Sequence, residues 1–438
     1  MAPHMKNDIG SARQEALAAL ERVRRGSAVS DAMVPSASLL ANDRALMTQL
    51  VYGVLRHQRY LDAWIRPFQR GPLDPVIRDI LRLAFFQLGF LDRVPAYAVV
   101  NAAVEQAKAR KPQAARLVNA VLRRGQHHEP QGLSLGEQYS HPDWLVQRWA
   151  ERYGEHLESV LKADNQVPPL TLRVNLARTT RQVILEQLER ESVAATPSAY
   201  LPEAIRVQGA VWLEKFAPFQ DGLVSVQDES GMLVAWVLDA QPGERVCDMA
   251  VGLGGKAIHV LERTHGAIEI TALDVSAPRL KLLQENLERS GYLDHIVAVR
   301  SPAEIYAKAH QSLFDRVILD APCSGLGVLG RRGDARWKKK PGDVATLKRL
   351  QEELLEASLL LTKAGGTIVY STCSTEPEET DQVISTVLKN HPRVCLDDVS
   401  PLLPHQELAR YVEKGALVLA PGDLGMDGFY ICRLTVGG

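Results

Sequence analysis

Cysteine is scarce in this chain. Cys247, Cys323, Cys373, Cys395 and Cys432 are the only five thiols in 438 residues, an odd number with no C-x-x-C pair. That pattern excludes a disulfide framework and a zinc ribbon, so a reducing, cytosolic setting is expected, with no metal. Apolar runs of bilayer-spanning length are missing, as is a charged-then-apolar leader, so neither membrane insertion nor secretion is expected. The His4-Met5 junction points to Met5 as the natural first residue. There is no internal repeat, and nothing of low complexity beyond the basic run Arg336 to Lys340. Net charge is nearly nil, with 51 basic and 52 acidic residues, but the balance is uneven. Residues 1–128 carry 19 basic and 10 acidic residues, a net +9, which leaves −10 for the remainder. A basic module joined to an acidic one points to a polyanionic partner for the first, against the plainer reading of a basic solvated surface.

The length exceeds one ordinary domain, and composition shifts divide it. Residues 5–128 read as an all-α bundle. Ser11 can cap a helix with an Ala12, Ala16, Leu17, Leu20 and Val23 stripe, and Asp43 opens a second helix. Asp74-Pro75 supplies a cap with proline at the first helical position, Pro95 starts a fourth helix, and Ala114 to Arg124 completes the bundle. Arg123 and Arg124 close that last helix; helix-dipole pairing and RNA binding are equally good accounts of them. Residues 129–142 read as a linker. Residues 143–222 read as a small α+β domain, in which Leu170, Leu172 and Val174 alternate with Arg173 and Asn175 as a half-exposed strand that would offer the polar pair to RNA. Packing as a spacer is its rival reading.

Residues 223–438 alternate strand and helix, which predicts a doubly wound α/β sheet of Rossmann-like type. Strands are expected at 245–249, 269–274, 296–300, 316–319 and 367–370, with a terminal hairpin near 417–419 and 429–434, and helices at 277–290, ended by Gly291, and 344–361, ended by Gly365-Gly366. Two stretches dominate. Val317-Ile318-Leu319 ends abruptly at Asp320-Ala321-Pro322-Cys323, and Ile368-Val369-Tyr370 runs into Ser371-Thr372-Cys373. Ligands of open α/β sheets bind beyond the carboxyl ends of the strands, so Asp320 and Cys323 are delivered to that crevice together, and Cys373 joins them if the two strands are neighbours. The turn Ala250-Val251-Gly252-Leu253-Gly254-Gly255-Lys256 lets backbone approach a ligand at a helix start, and Asp274 ends the next strand where an acid can accept from a ribose diol. Together they indicate a nucleoside cofactor, either a dinucleotide or S-adenosylmethionine.

The paired thiols favour the second. Hydride transfer needs none, whereas C5 of cytosine is a poor nucleophile until a thiolate adds at C6, which is covalent catalysis. Burial as small apolar side chains is the plain alternative, but a packing thiol would more naturally sit inside a strand.

At these residues the chain resembles the RNA cytosine-5 methyltransferases, and within them the bacterial enzymes that act on 16S rRNA. The resemblance spans nearly the whole chain: VNAVLRR at 118–124 within a NusB-like bundle, VSVQDESG at 224–231, DAPCSGLG at 320–327, STCSTEPEE at 371–379 and DGFY at 427–430 follow the family order. It implies a class I methyltransferase domain with S-adenosylmethionine as cofactor, Cys373 as nucleophile, and Cys323 associated with product release. It also implies Asp320 and Lys256 at the methionine end and the target ring, and Asp274 on the ribose. The implied partner is 16S rRNA; the target base must leave its stack to meet Cys373, which favours an unpaired loop cytosine, and a monomer is expected. Two positions depart from the family: Ala250-Val251-Gly252-Leu253 replaces Cys-Ala-Ala-Pro, and Ser301 stands where an acid often meets the adenine. Gly252 restores the general glycine pattern, so cofactor binding is still expected. The tract Arg331, Arg332, Arg336 and Lys338 is placed to meet phosphates near the site, or is a solvated loop. The rival readings are a nicotinamide oxidoreductase, an RNA-binding assembly factor with a decayed cofactor loop, and a 5-methylcytosine transferase acting on transfer RNA.

Overall fold

Helix follows helix through the first part of the chain, and the caps explain most of the boundaries. In the computed structural model, which describes residues 5–33, 39–92, 94–208 and 213–437, Pro75–Phe90 starts where the Asp74 carboxylate accepts from the Val76 N–H at 2.9 Å. Helices Ala41–Arg56, Ala96–Arg110 and Ala115–Gly125 fall where their stripes predict. Met5–Arg24 is longer than expected: Ser11 lies inside it and not at its start. The expectation about Met5 as first residue rests on Met1–His4, outside the described residues.

The described residues divide into two compact units, Met1–Gln166 with Leu329–Lys338, and Val167–Val328 with Lys339–Gly438. The first is built on an apolar cluster that includes Leu50, Leu61, Trp64, Phe85 and Val118. The expected linker 129–142 is an ordered part of this unit. Ser134 and Glu137 form a capping box for the short helix Leu135–Gln138, and Ser140 and His141 are fully buried. Helices Asp143–Tyr153 and Leu157–Ala163 cluster with this unit.

Arg336 overturns another expectation. It is fully buried within the first unit, donating to the carbonyl oxygens of Arg56 (3.2 Å), Ser140 (3.0 Å) and Asp164 (3.0 Å) and to Asn165 Oδ1 (2.9 Å), so it is withheld from phosphate. Burial raises the Asp164 carboxyl to about 7 against the opposing pull of Arg336 and Arg56. Arg336→Ala should therefore cost about 3–5 kcal/mol by stranding buried polar groups, measured by denaturant unfolding. Lys338 is committed too, to the Ser27 carbonyl at 2.7 Å and Asp334 at 2.9 Å. Arg332, Arg123 and Arg124 are exposed.

The second unit holds two sheets. The smaller contains β1 (Leu170–Val174), β2 (Ala195–Pro197), β3 (Ala204–Val207) and β4 (Val224–Val226) in the order β2-β3-β1-β4, all antiparallel. Because β4 pairs with β1, residues 224–226 belong to this sheet and not to the larger one. Arg173 and Asn175 are both 0% exposed, which overturns the half-exposed strand. Arg173 pairs with Glu262 (2.7 Å), bonds Gln227, and donates to the Gly255 carbonyl (2.7 Å). A guanidinium on an alternating strand reads as solvent-facing until a carboxylate from a distant helix covers it.

The larger sheet contains β5 (Arg245–Asp248), β6 (Glu269–Asp274), β7 (Ile296–Arg300), β8 (Phe314–Asp320), β9 (Thr362–Thr372), β10 (Val394–Asp397), β11 (Val412–Glu413), β12 (Ala416–Leu419) and β13 (Phe429–Val436). The order β11-β12-β13-β9-β8-β5-β6-β7 is parallel from β9 through β7, with β13 antiparallel to β9 and β10 paired to β13. Strand order reverses between β5 and β8, which opens the crevice there. Helix Ala277–Ser290 ends at left-handed Gly291 as predicted, whereas Gly365 and Gly366 lie within β9, beside a register slip, and do not end a helix. Among the described residues no helix is long and apolar enough to cross a membrane.

Candidate active site

Parallel pairing of β8 with β9 sets Asp320 opposite Ser371, so the loops that leave these strands start side by side. Cys323 Sγ lies 3.2 Å from Cys373 Sγ. The loops are stitched together: Gly327 N–H donates to the Cys373 carbonyl (3.0 Å), and Gly428 N–H to the Gly327 carbonyl (2.8 Å). A Cβ on Gly327 would fall 2.2 Å from the Gly428 oxygen, so only glycine permits this approach. That is the physical content of the glycine in DAPCSGLG and of the DGFY stretch.

Asp320 accepts from Lys256 Nζ at 2.6 Å on one carboxylate oxygen and from the Ser371 hydroxyl at 2.8 Å on the other. Burial disfavours the Lys256 cation, but Asp320, Asp248 and Cys373 outweigh it, so the ammonium is held above its ordinary pKa and stays charged. Its Nζ also lies over the Phe429 ring at 5.5 Å. The Cys323 thiol is pushed well above the ordinary range by its bond with Cys373, by burial, and by the charges of Cys373, Glu379 and Asp320. Two sulfur anions at this separation repel, so one thiol of the pair ionises and the other keeps its proton.

The glycine turn lies at the ends of β5 and β6. Gly252 (φ +57°) donates its N–H to Asp274 Oδ2 at 3.2 Å, and Ser276 N–H caps Oδ1 at 2.8 Å. Gly254 (φ +86°) leads into helix Gly255–Arg263, and a Cβ there would strike Leu283 at 2.4 Å. Gly255 by contrast faces open space, as a backbone that must meet a ligand should. Leu253 and Val275, on the same two strand-end turns, are 51% and 60% exposed and offer apolar surface to a planar base. Asp248, with its carboxylate accepting from Ala250 N–H at 3.2 Å, is raised to about 7, chiefly by burial and further by Asp320 and Asp274. These residues fit a nucleoside bearing a cationic methionine tail. Ser301, after β7, turns its hydroxyl to the Pro302 carbonyl (3.0 Å).

Sequence reasoning gave no role to Ser371, Ser324, Gln351 or Glu379. Ser324 and Glu379 stand in the quoted motifs beside the cysteines, which was the available signal. Gln351, mid-helix in Pro341–Leu361, gave none.

A glycine turn, a strand-end acid and a doubly wound sheet with an antiparallel strand beside it define the Rossmann-like methyltransferase class. Residues 235–435 match the 16S rRNA methyltransferase RsmB/F family, residues 10–126 the NusB family, and residues 141–214 the ferredoxin-like domain of RsmF/B-like methyltransferases. The chain is 34% identical over 450 residues to a probable ribosomal RNA small subunit methyltransferase B of Bacillus subtilis, spanning 98% of this chain and 99% of that one. It is 36% identical over 444 residues to a protein of the same description in Synechocystis, spanning 97% and 99%. A solved methyltransferase homologue from Pyrococcus horikoshii is 26% identical, with a TM-score of 0.59 over 70% of this chain and all of that one. The chain belongs to the ribosomal RNA small subunit methyltransferase B family.

Proposed function

We propose that this protein methylates C5 of a specific, unpaired cytosine in 16S rRNA, using S-adenosylmethionine and a transient Cys373–C6 bond. The observation that carries the reading is the 3.2 Å approach of two strand-end thiols beside a lysine–aspartate pair. Cys373, as thiolate, adds to C6 and makes C5 nucleophilic. The cofactor, when bound, supplies an electrophilic methyl group. Loss of the C5 proton then expels Cys373, and Cys323 serves this release. Asp320, fixed by Lys256 and Ser371, orients the ring and the cofactor's amino-acid end, while Asp274 and the turn 250–256 hold its nucleoside. Family membership and the thiol pair leave no support for the nicotinamide reading.

For RNA contact, the helical bundle offers a groove of about 700 Å³ whose lining includes Tyr97, Asn101, Arg116, Asn119 and Arg123. Tyr97 is 79% exposed, suited to stacking on an unpaired base. Arg124 and Arg332 are further proposed phosphate ligands, and Arg331 stands beside Arg332 in sequence. Replacing Arg116 and Arg123 by alanine should lower the slope of log affinity against log salt by about 0.7 for each phosphate no longer neutralised, in binding titrations with a 16S transcript. The function as a whole is tested by transfer of labelled methyl from S-adenosylmethionine into 16S rRNA, with bisulfite mapping of the product. Label in transfer RNA alone, or none, would refute it.

A further inference from the structure

Backbone on both sides of Cys323 is held by one buried polar pair. The Pro322 carbonyl accepts from Gln351 Nε2 at 2.8 Å, and Ser324 donates its N–H to Glu379 Oε1 at 2.7 Å and its hydroxyl to Oε2. Gln351 also donates to Glu379 Oε1 at 3.1 Å, and both side chains are 0% exposed. Glu379 is fixed in turn, since its own carbonyl accepts from the Tyr370 hydroxyl at 2.8 Å. Among the described residues no lysine or arginine pairs with the Glu379 carboxylate, an arrangement that is costly for a group whose only service is to close a loop.

We infer that Glu379 is a positioning residue that holds Cys323 against Cys373 and, by its charge, keeps the proton on Cys323 until release. The inference rests on the two-thiol reading above. Groups of opposite sign face the two sulfurs. Cys323 feels Cys373, Glu379 and Asp320, whereas the Lys256 ammonium interacts with Cys373. A thiolate is favoured beside a cation and disfavoured beside anions. Cys373 is thus the sulfur to ionise first, and Cys323 keeps its proton until release.

The test uses full-length protein, labelled S-adenosylmethionine and a 16S transcript in single turnover, with the protein–RNA adduct followed on denaturing gels. Glu379→Gln keeps the shape and removes the charge. Adduct formation and cofactor affinity should stay as in the unchanged protein, while adduct resolution slows by about 10- to 100-fold through the loosened sulfur position. The midpoint of its pH dependence should move to lower pH, because a neighbouring anion has gone. Resolution at the unchanged rate, or slowing by one factor at every pH, would overturn the inference. Should Glu379→Gln fail to fold, Ser324→Ala decides: adduct accumulation with unaltered cofactor affinity supports the clamp, and unaltered resolution sinks it. Cys323→Ala in parallel separates the layers. If it forms no adduct, the two-thiol reading itself has failed; if it traps one and Glu379→Gln resolves normally, only the clamp is wrong.

Discussion

Cys373→Ala is expected to abolish methyl transfer while cofactor binding persists. Without sulfur addition at C6, C5 has no enamine character, and Cys323, whose thiol is held well above its ordinary range, is a poor replacement. Removing a nucleophile of this kind costs on the order of 10⁴ to 10⁶ in turnover. Cofactor affinity should survive because the turn 250–256 and Asp274 are built on β5 and β6, whereas Cys373 follows β9. Label incorporation into 16S rRNA and a calorimetric titration with S-adenosylmethionine, run on the same preparation, separate the two effects. Incorporation above one-tenth of the unchanged rate would remove Cys373 from the chemistry. Lost incorporation together with lost cofactor binding would mean that the substitution damaged the crevice.

Cys323→Ala should do the opposite to the covalent intermediate and accumulate it. The sulfur that remains, Cys373, can still add to the ring, but the group 3.2 Å away that we propose serves release has gone. The expected result is a shift from a trace of RNA-linked protein to a majority species, stable to denaturation and dependent on added cofactor. A pH effect accompanies it in the unchanged protein. Because its bond with Cys373, burial and neighbouring anions hold the Cys323 thiol well above its ordinary range, the fraction of Cys323 free of its proton grows with rising pH. If Cys323 acts in release as thiolate, adduct resolution should quicken as the solution is made alkaline, until general unfolding intervenes. Normal turnover by Cys323→Ala, with no adduct, would assign release to another group.

These two outcomes depend on a geometry that three separate stretches share. The strand ends contribute the sulfurs, Gly327 and Gly428 allow the loops to approach, and Glu379 with Gln351 holds the loop from behind. The smaller sheet contributes as well, since Arg173 reaches the Gly255 carbonyl at the start of the helix that carries Lys256. A residue that reads as half-exposed is a buttress of the glycine turn.

Local signals determined a great deal of this protein. An apolar run that stops at Asp274 gave β6 its limit, and the Asp74-Pro75 cap and Gly291 gave two helices theirs, because each depends on neighbours a few residues away. The thiols were legible for the same reason: each follows directly on an apolar strand. Only the tertiary structure decided that β8 and β9 are adjacent, that Arg336 and Arg173 are buried, that β4 joins the smaller sheet, and that Glu379 lies behind Cys323. A charged side chain is exposed or buried according to whether a partner arrives from elsewhere in the chain. Asp164 and Glu262, the partners that settled Arg336 and Arg173, stand 172 and 89 positions away, beyond any local pattern.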